Sequence, residues 1–336
     1  MKSLGLVFRF GSIEAVVLLG SFFSVSLGTA IGGWEGRVES AHFLAFFSER
    51  DRKVAEEVVR IAEKACRRIT ADIGIELDER IYIYVCGTKA EFRRLLRNSV
   101  QEWAAAVAIP SIKAIVAMAP RALGDSYPGE MGKIIAHEVT HVVIGVLLGD
   151  RVGIIPRWVH EGIAVYEAGE WGLGWSWTLG SAAIAGRLIP LSNISHGFPD
   201  ESSDALLAYA QSYSAISYIM RKFGSGAIRD MLVGVKEGLG FEDAFTKAIG
   251  LSPGDFEEIW RSYVRKHYTF ITAFTSSAMF WFAVSLLFLL AYFAKKRKER
   301  ERMRRWEMEE LLYRGRYEIE NGRDEGEDEG RGGEKI

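Results

Sequence analysis

The chain has 336 residues, 49% hydrophobic and 26% charged, with a formal net charge of -2, so nothing in its balance provides the basic surface that nucleic acid requires, and nucleic acid is excluded as a partner. It carries two cysteines, Cys66 and Cys86, and neither has a second Cys or a His nearby in sequence, which argues against a thiol nucleophile or a cysteine metal site. No tandem repeat and no nucleotide-binding glycine loop stands out.

At the N-terminus, Lys2 and Arg9 precede an apolar run from Ala15 to Ile31 that ends in Gly28-Thr29-Ala30, small residues where a signal peptidase needs them. Residues 1–30 therefore read as a signal cleaved after Ala30 or as a retained anchor. Arg52 to Thr70 repeats apolar positions at helical spacing with charges between, and predicts a helix. Arg80 to Cys86 alternates Ile81, Ile83 and Val85 against tyrosines, and predicts a strand. Cys66 on that helix and Cys86 on that strand have two readings. Either they pair in an oxidising exterior compartment, closing a loop of about twenty residues worth roughly 3 kcal/mol, or both are small buried hydrophobes. Residues 90–98 predict an amphipathic helix and Ser111 to Met118 a strand.

The run Ala136-His137-Glu138-Val139-Thr140-His141 holds a metal-and-base constellation within one helical turn. Residues four apart share a helix face, so His137 and His141 can aim at one ion, with Glu138 beside the ion rather than on it. Two neutral imidazoles suit Zn²⁺, and the adjacent carboxylate can take a proton from a water activated by the ion and pass it to a leaving amine. That chemistry hydrolyses amides. A plain buried helix is the alternative, since Ile134, Ile135, Val142, Val143, Ile144, Val146 and Leu147 are core-forming.

A catalytic zinc needs a third protein ligand and one open position. About twenty residues on, after a tight Gly149-Asp150-Arg151-Val152-Gly153 connection, Pro156 starts a second helix, Pro156-Arg157-Trp158-Val159-His160-Glu161-Gly162-Ile163-Ala164. His160 and Glu161 project about 100° apart on it, so one of them faces the metal. A Gly- and Trp-rich stretch, Gly169 to Gly180, follows; Trp171, Trp175 and Trp177 pack ordinarily, line a pocket or sit near a membrane. Glu167 and Glu170 read as a solvated helix end and loop. After a polar loop near Pro190 to Ser203, residues 204–223, 226–237, 241–249 and 253–267 predict short helices, several ending at Gly224, Gly238 and Gly250.

Phe270 to Ala294 carries no charge and is long enough to span a bilayer, and Lys295-Lys296-Arg297-Lys298-Glu299-Arg300 follows at once. The positive-inside rule places the C-terminal tail in the cytoplasm; Lys2 and Arg9 keep the N-terminus on the same side. The expected domains are thus residues 1–30, an extracytoplasmic domain at 31–267, a transmembrane helix at 268–294 and a tail at 295–336. Residues 306–320 are compatible with continued helix, whereas the Gly-, Glu-, Asp- and Arg-rich Glu318 to Ile336 is expected to be disordered.

From the His-Glu-Val-Thr-His helix through Pro156 to Ala164 and on to Tyr209-Ala210-Gln211-Ser212-Tyr213, the sequence resembles the peptidase MA-like gluzincins. The resemblance covers roughly residues 40–265 and implies an α+β, thermolysin-like zincin domain with a helical C-terminal half. It implies zinc on His137, His141 and Glu161, with His160 as the other possible third ligand, Glu138 as general base, and a peptide or protein substrate. Tyr213, or Tyr209 on the same face, either donates to the oxyanion, where one donor is worth about 3 kcal/mol, or simply packs. In zincins a strand at the sheet edge holds the substrate by β-addition. Residues 112–118, with Ile115, Val116 and Ala117 central, are the candidate edge; an ordinary internal strand is the alternative. One departure is visible: where many gluzincins carry an acidic residue one turn after the third ligand, this chain has Val165. Two rival functions remain, a membrane-anchored binding or adaptor domain with a structural or vestigial zinc, and an intramembrane metalloprotease. Against the latter, Lys133, Glu138 and Asp150 bracket an apolar stretch that reads as too short to span.

Overall fold

A computed structural model describes residues 34–96, 104–124, 130–274 and 277–328, so the N-terminal apolar segment lies outside the described residues. The chain forms a mixed α/β structure, mostly helical, with one small sheet, and divides into two units at Thr272 and Ala273. Five strands, β1 (Gly36–Glu39), β2 (Phe43–Phe47), β3 (Ile81–Cys86), β4 (Ala106–Ile109) and β5 (Ala114–Met118), lie in the order β1-β2-β3-β5-β4. The three central strands β2, β3 and β5 run parallel, and each edge strand runs antiparallel to its neighbour.

Period-two alternation sends the two faces of the sheet into two cores. Phe43, Ala45, Ile81, Ile83, Val85, Ile115 and Ala117 enter the larger core, which they share with the apolar stripe Ala55, Val58, Ala62, Cys66 and Ile69 of α1 (Arg52–Ile73). Tyr84, Cys86, Val116 and Met118 enter a smaller one with Phe92 of α2 (Lys89–Leu95). Cys66 and Cys86 therefore lie in different cores on opposite faces of the sheet, and both are free. Burial pushes their thiols up, to about 11 and about 12.

Strand β5 is buried along its whole length and hydrogen-bonded on both sides, so the expectation that Ile115, Val116 and Ala117 form a substrate-binding edge is corrected. Their backbone groups are committed to β3 and β4. The edge on that side of the sheet is β4, whose short Ala- and Val-containing run gave little strand signal of its own.

Helix α3 (Met131–Leu148) is buried on nearly every side. Its backbone approaches the Pro110–Ile112 turn so closely that a Cβ at Gly145 would overlap the Pro110 ring. That contact fixes β4 alongside α3. Among the described residues Met131–Ile154 is the one helical stretch long and apolar enough to cross a membrane, so it is not too short to span; yet 78% of its window is buried within the protein, and core packing accounts for its composition. Helix α4 (Arg157–Ala168) follows, then α5 (Leu173–Ile184), α6 (Ser202–Phe223), α7 (Ser225–Lys236), α8 (Phe241–Ile249) and α9 (Pro253–Phe274). The Trp-rich stretch is thus largely helical rather than loop. Gly162 lets α4 lie directly on α6, since a Cβ there would stand 2.5 Å from the Ser212 carbonyl oxygen and 2.6 Å from Ile216 Cγ1.

The second unit is dominated by α10 (Ser277–Asp328), a 52-residue helix. Trp281, Phe282, Leu287 and Phe288 are exposed on it. Helix continues through Glu318 to Asp328, where disorder was expected, as an extension of the charged helix that precedes it.

Candidate metal centre

Helix α3 carries His137, Glu138 and His141, and α4 brings Glu161 to them. The three potential ligands His137, His141 and Glu161 offer atoms that all lie within 4.8 Å of one another. Glu161 Oε2 is 3.5 Å from His137 Nε2 and 3.6 Å from His141 Nε2. Donor atoms about 2.1 Å from a common ion at tetrahedral angles stand about 3.4 Å apart, so the spacing is that of ligands around one centre. Both Glu161 oxygens are buried without a hydrogen bond, as is His141 Nδ1. A buried carboxylate without hydrogen bonds is costly; Arg157, 3.5 Å from Oε1, offsets part of that cost, Oε2 faces the two imidazoles, and this donor set of two imidazoles and one carboxylate fits zinc.

Of the two candidates on α4, Glu161 enters the cluster. His160 instead lies flat against His141, with ring centroids 4.5 Å apart and an interplanar angle of 4°. Burial lowers the His160 pKa to about 4 and, helped by the neighbouring His160 and His137, holds His141 well below the ordinary value, so both rings are neutral. Burial also opposes charge on His137, but Glu170, Glu161 and Glu138 outweigh it and raise that group to about 10. Burial opposes ionisation of Glu161 too, yet His137 and Arg157 keep it a carboxylate below its usual range. Arg157 Nη2 stands 3.5 Å from Glu161 Oε1, one turn earlier on α4.

Glu138 sits beside the cluster. Its Oε2 accepts a 2.6 Å hydrogen bond from the Ala108 N–H of edge strand β4. Burial raises its pKa to about 7, against the charge of His137 and the Ala108 hydrogen bond.

Glu170 is the residue that sequence reasoning misplaced. Helix α4 ends at Gly169 with φ 65°, a left-handed cap that turns the chain back, and the Val165 carbonyl accepts the Glu170 N–H. Glu170 Oε1 then lies 3.3 Å from His137 Nδ1. The position that lacks an acidic side chain, Val165, thus holds the backbone of the residue that supplies one. Glu167 is not solvated either; it is buried and paired with Arg68 of α1 at 3.0 Å.

The two tyrosines of α6 separate. Tyr213 stacks on Trp171 at 4.3 Å and 13°, beside Tyr166, in an aromatic cluster outside the metal centre, which corrects its expected position. Tyr209 is buried at the centre; desolvation first, then the charges of Glu161 and Glu138, raise its phenol well above the ordinary value, opposed by Arg157.

The sequence profile of the peptidase MA superfamily matches residues 61–266, and the chain belongs to that superfamily. A search of curated proteins finds no match. Family and centre together indicate a metallopeptidase-like protein with a metal cofactor.

Proposed function

We propose that the protein is a membrane-tethered, zinc-dependent gluzincin peptidase whose domain at residues 31–267 faces the extracytoplasmic side. The convergence of Glu161 Oε2 on both Nε2 atoms, with no hydrogen bond to either carboxylate oxygen, is the observation that carries the reading. His137, His141 and Glu161 would hold the zinc ion, which would supply Lewis acidity for the scissile carbonyl and for a water that loses its proton near neutral pH.

The remaining work falls to side chains and backbone. Glu138 takes the proton of the attacking water and delivers it to the leaving amine nitrogen; the Ala108 N–H fixes its carboxylate through Oε2 and leaves Oε1 for that transfer. Tyr209, held protonated by its surroundings, donates its O–H to the carbonyl oxygen as negative charge develops there. Glu170 orients the His137 ring through Nδ1. Peptide is held in extended form along β4. In the β4–β5 pair the Ala106 and Ala108 backbone groups point away from β5; the Ala108 N–H is taken by Glu138, and the Ala106 N–H and the two carbonyls are left for an added strand to meet.

The membrane tether is supported by the uncharged run Phe270–Ala294 and by the exposed Trp281, Phe282, Leu287 and Phe288 on α10, followed by the basic run Lys295–Arg300 that sets the tail in the cytoplasm. The test is cleavage of a mixed peptide library by the full chain, with and without a zinc chelator, and with Glu138→Gln as the blank. Cleavage lost in both controls is the expected result; folded, zinc-loaded protein that cuts nothing would favour a binding domain with a structural ion.

A further inference from the structure

Arg157 and Glu161 stand four residues apart on α4, so their side chains share one face of the helix. The two oxygens of Glu161 meet different groups. Oε2 faces the imidazoles, 3.5 Å from His137 Nε2 and 3.6 Å from His141 Nε2, whereas Oε1 stands 3.5 Å from Arg157 Nη2. At that distance the Arg157 contact is an ion pair rather than a hydrogen bond, and neither Glu161 oxygen accepts a hydrogen bond.

The guanidinium is itself held in place. Its carbon lies 5.1 Å from the centroid of the Phe198 ring, and that ring meets Tyr209 edge-on at 4.8 Å. The Arg157 backbone N–H donates to the Ser195 carbonyl at 2.7 Å, which ties the start of α4 to the turn at Leu191–Ile194. The Arg157 side chain is only 11% exposed, so solvent screens its charge weakly. A buried cation beside a ligand carboxylate opposes the arrival of a divalent ion, and a side chain that merely packed here would do so better without charge. The charge is therefore a feature of the centre rather than of the helix.

We propose that Arg157 is a positioning residue that retains Glu161 Oε1 and so presents Oε2 alone to the metal ion. This rests on the reading of His137, His141 and Glu161 as the zinc ligands. Two imidazoles and one carboxylate oxygen make three protein donors and leave the fourth position of a tetrahedral ion for water or substrate. A carboxylate free to turn both oxygens to the ion would supply a fourth protein donor and crowd that position.

The test loads the full-length protein with Co²⁺ in place of zinc and records its visible absorption, which weakens and moves to the blue as a four-coordinate ion gains a donor. Arg157→Met keeps an unbranched side chain against Phe198 and removes the charge, and Arg157→Lys returns a cation without the planar fork. Arg68→Met is the control, since it removes the partner of Glu167 on the same helix. Circular dichroism shows that each variant is folded. The expected result is a weaker, blue-shifted band in Arg157→Met, a band between that and wild type in Arg157→Lys, and the wild-type band in Arg68→Met. The wild-type band in folded Arg157→Met overturns the proposal, and so does an equal change in Arg68→Met, which would trace the effect to loosened packing of α4. X-ray absorption of the zinc-loaded wild-type protein is a second measurement that needs no variant to fold. The carboxylate carbon lies closer to the ion when both oxygens bind; a one-oxygen carboxylate is expected, and a two-oxygen carboxylate overturns the proposal. Wild-type protein that takes up neither ion refutes the metal centre itself, and the role of Arg157 with it.

Discussion

Replacing Glu170 tests whether a residue outside the ligand set governs the metal. Its Oε1 stands 3.3 Å from His137 Nδ1 and its side chain is almost wholly buried, so water cannot replace the contact freely. The carboxylate is placed to accept from the Nδ1–H of the ring, and a hydrogen bond to a charged group contributes about 1.5–3 kcal/mol. At about 1.4 kcal/mol per factor of ten, that is a loss of roughly 10- to 100-fold in metal affinity, the range expected for groups that orient a ligating histidine. Glu170→Ala removes both the charge and the acceptor and should show the full loss. Glu170→Gln keeps an acceptor oxygen and should lie between Ala and wild type. The assay is competition for Zn²⁺ against a chromophoric chelator at fixed pH, with circular dichroism to show that each variant is folded. The result that sinks the reasoning is wild-type zinc affinity in folded Glu170→Ala, since His137 would then be oriented by something else. Glu167→Gln is the matched control; Glu167 pairs with Arg68 rather than a histidine, so zinc affinity should not change.

Three further outcomes follow from the packing. Gly162→Ala should destabilise by about 1–3 kcal/mol through overpacking against Ser212 and Ile216, read as a lowered Tm; an unchanged Tm would mean that α4 and α6 separate without cost. Asp51 accepts two 2.7 Å hydrogen bonds from Arg121 and one of 2.8 Å from Ser48, and the Arg121 contact chiefly holds its carboxyl below the ordinary range. The unfolded aspartate titrates near 3.9, so this contribution is fully present above about pH 4 and is lost as pH falls through the lowered folded-state value. Asp51→Asn should therefore cost stability at pH 7, about 1.5 kcal/mol given that Arg121 is half-exposed, and the gap to wild type in denaturant melts should close towards pH 3. Finally, thiol titration of the oxidised-compartment protein should find Cys66 and Cys86 both free, unreactive when native and reactive in denaturant; a protected thiol pair in denaturant would contradict their separation by the sheet.

The sequence determined the local features. Residues three and four apart on a helix share a face whatever the surroundings, so His137, Glu138 and His141 were legible as one constellation, and the stripes of α1 and α6 to α9 were legible as helices. Glycine stops at 224 and 250 were readable because both positions take a positive φ, which glycine adopts without steric cost. Tertiary structure alone decided what depends on contacts distant in sequence. Which strand is the edge follows from pairing partners, and alternation within Ala114–Met118 cannot reveal that β4 covers it. The choice of Glu161 over His160 follows from which face α4 turns toward α3, and the close approach of Gly162 to α6 on another side of the helix is a contact distant in sequence. Tyr209 and Tyr213 share a helix face, and only the position of α6 along α4 puts the first at the metal centre and the second against Trp171. Glu170 lay beyond a helix end in an apparently polar segment; its burial comes from a turn of the backbone at Gly169, and that turn carries a carboxylate to a histidine 33 positions earlier in the chain.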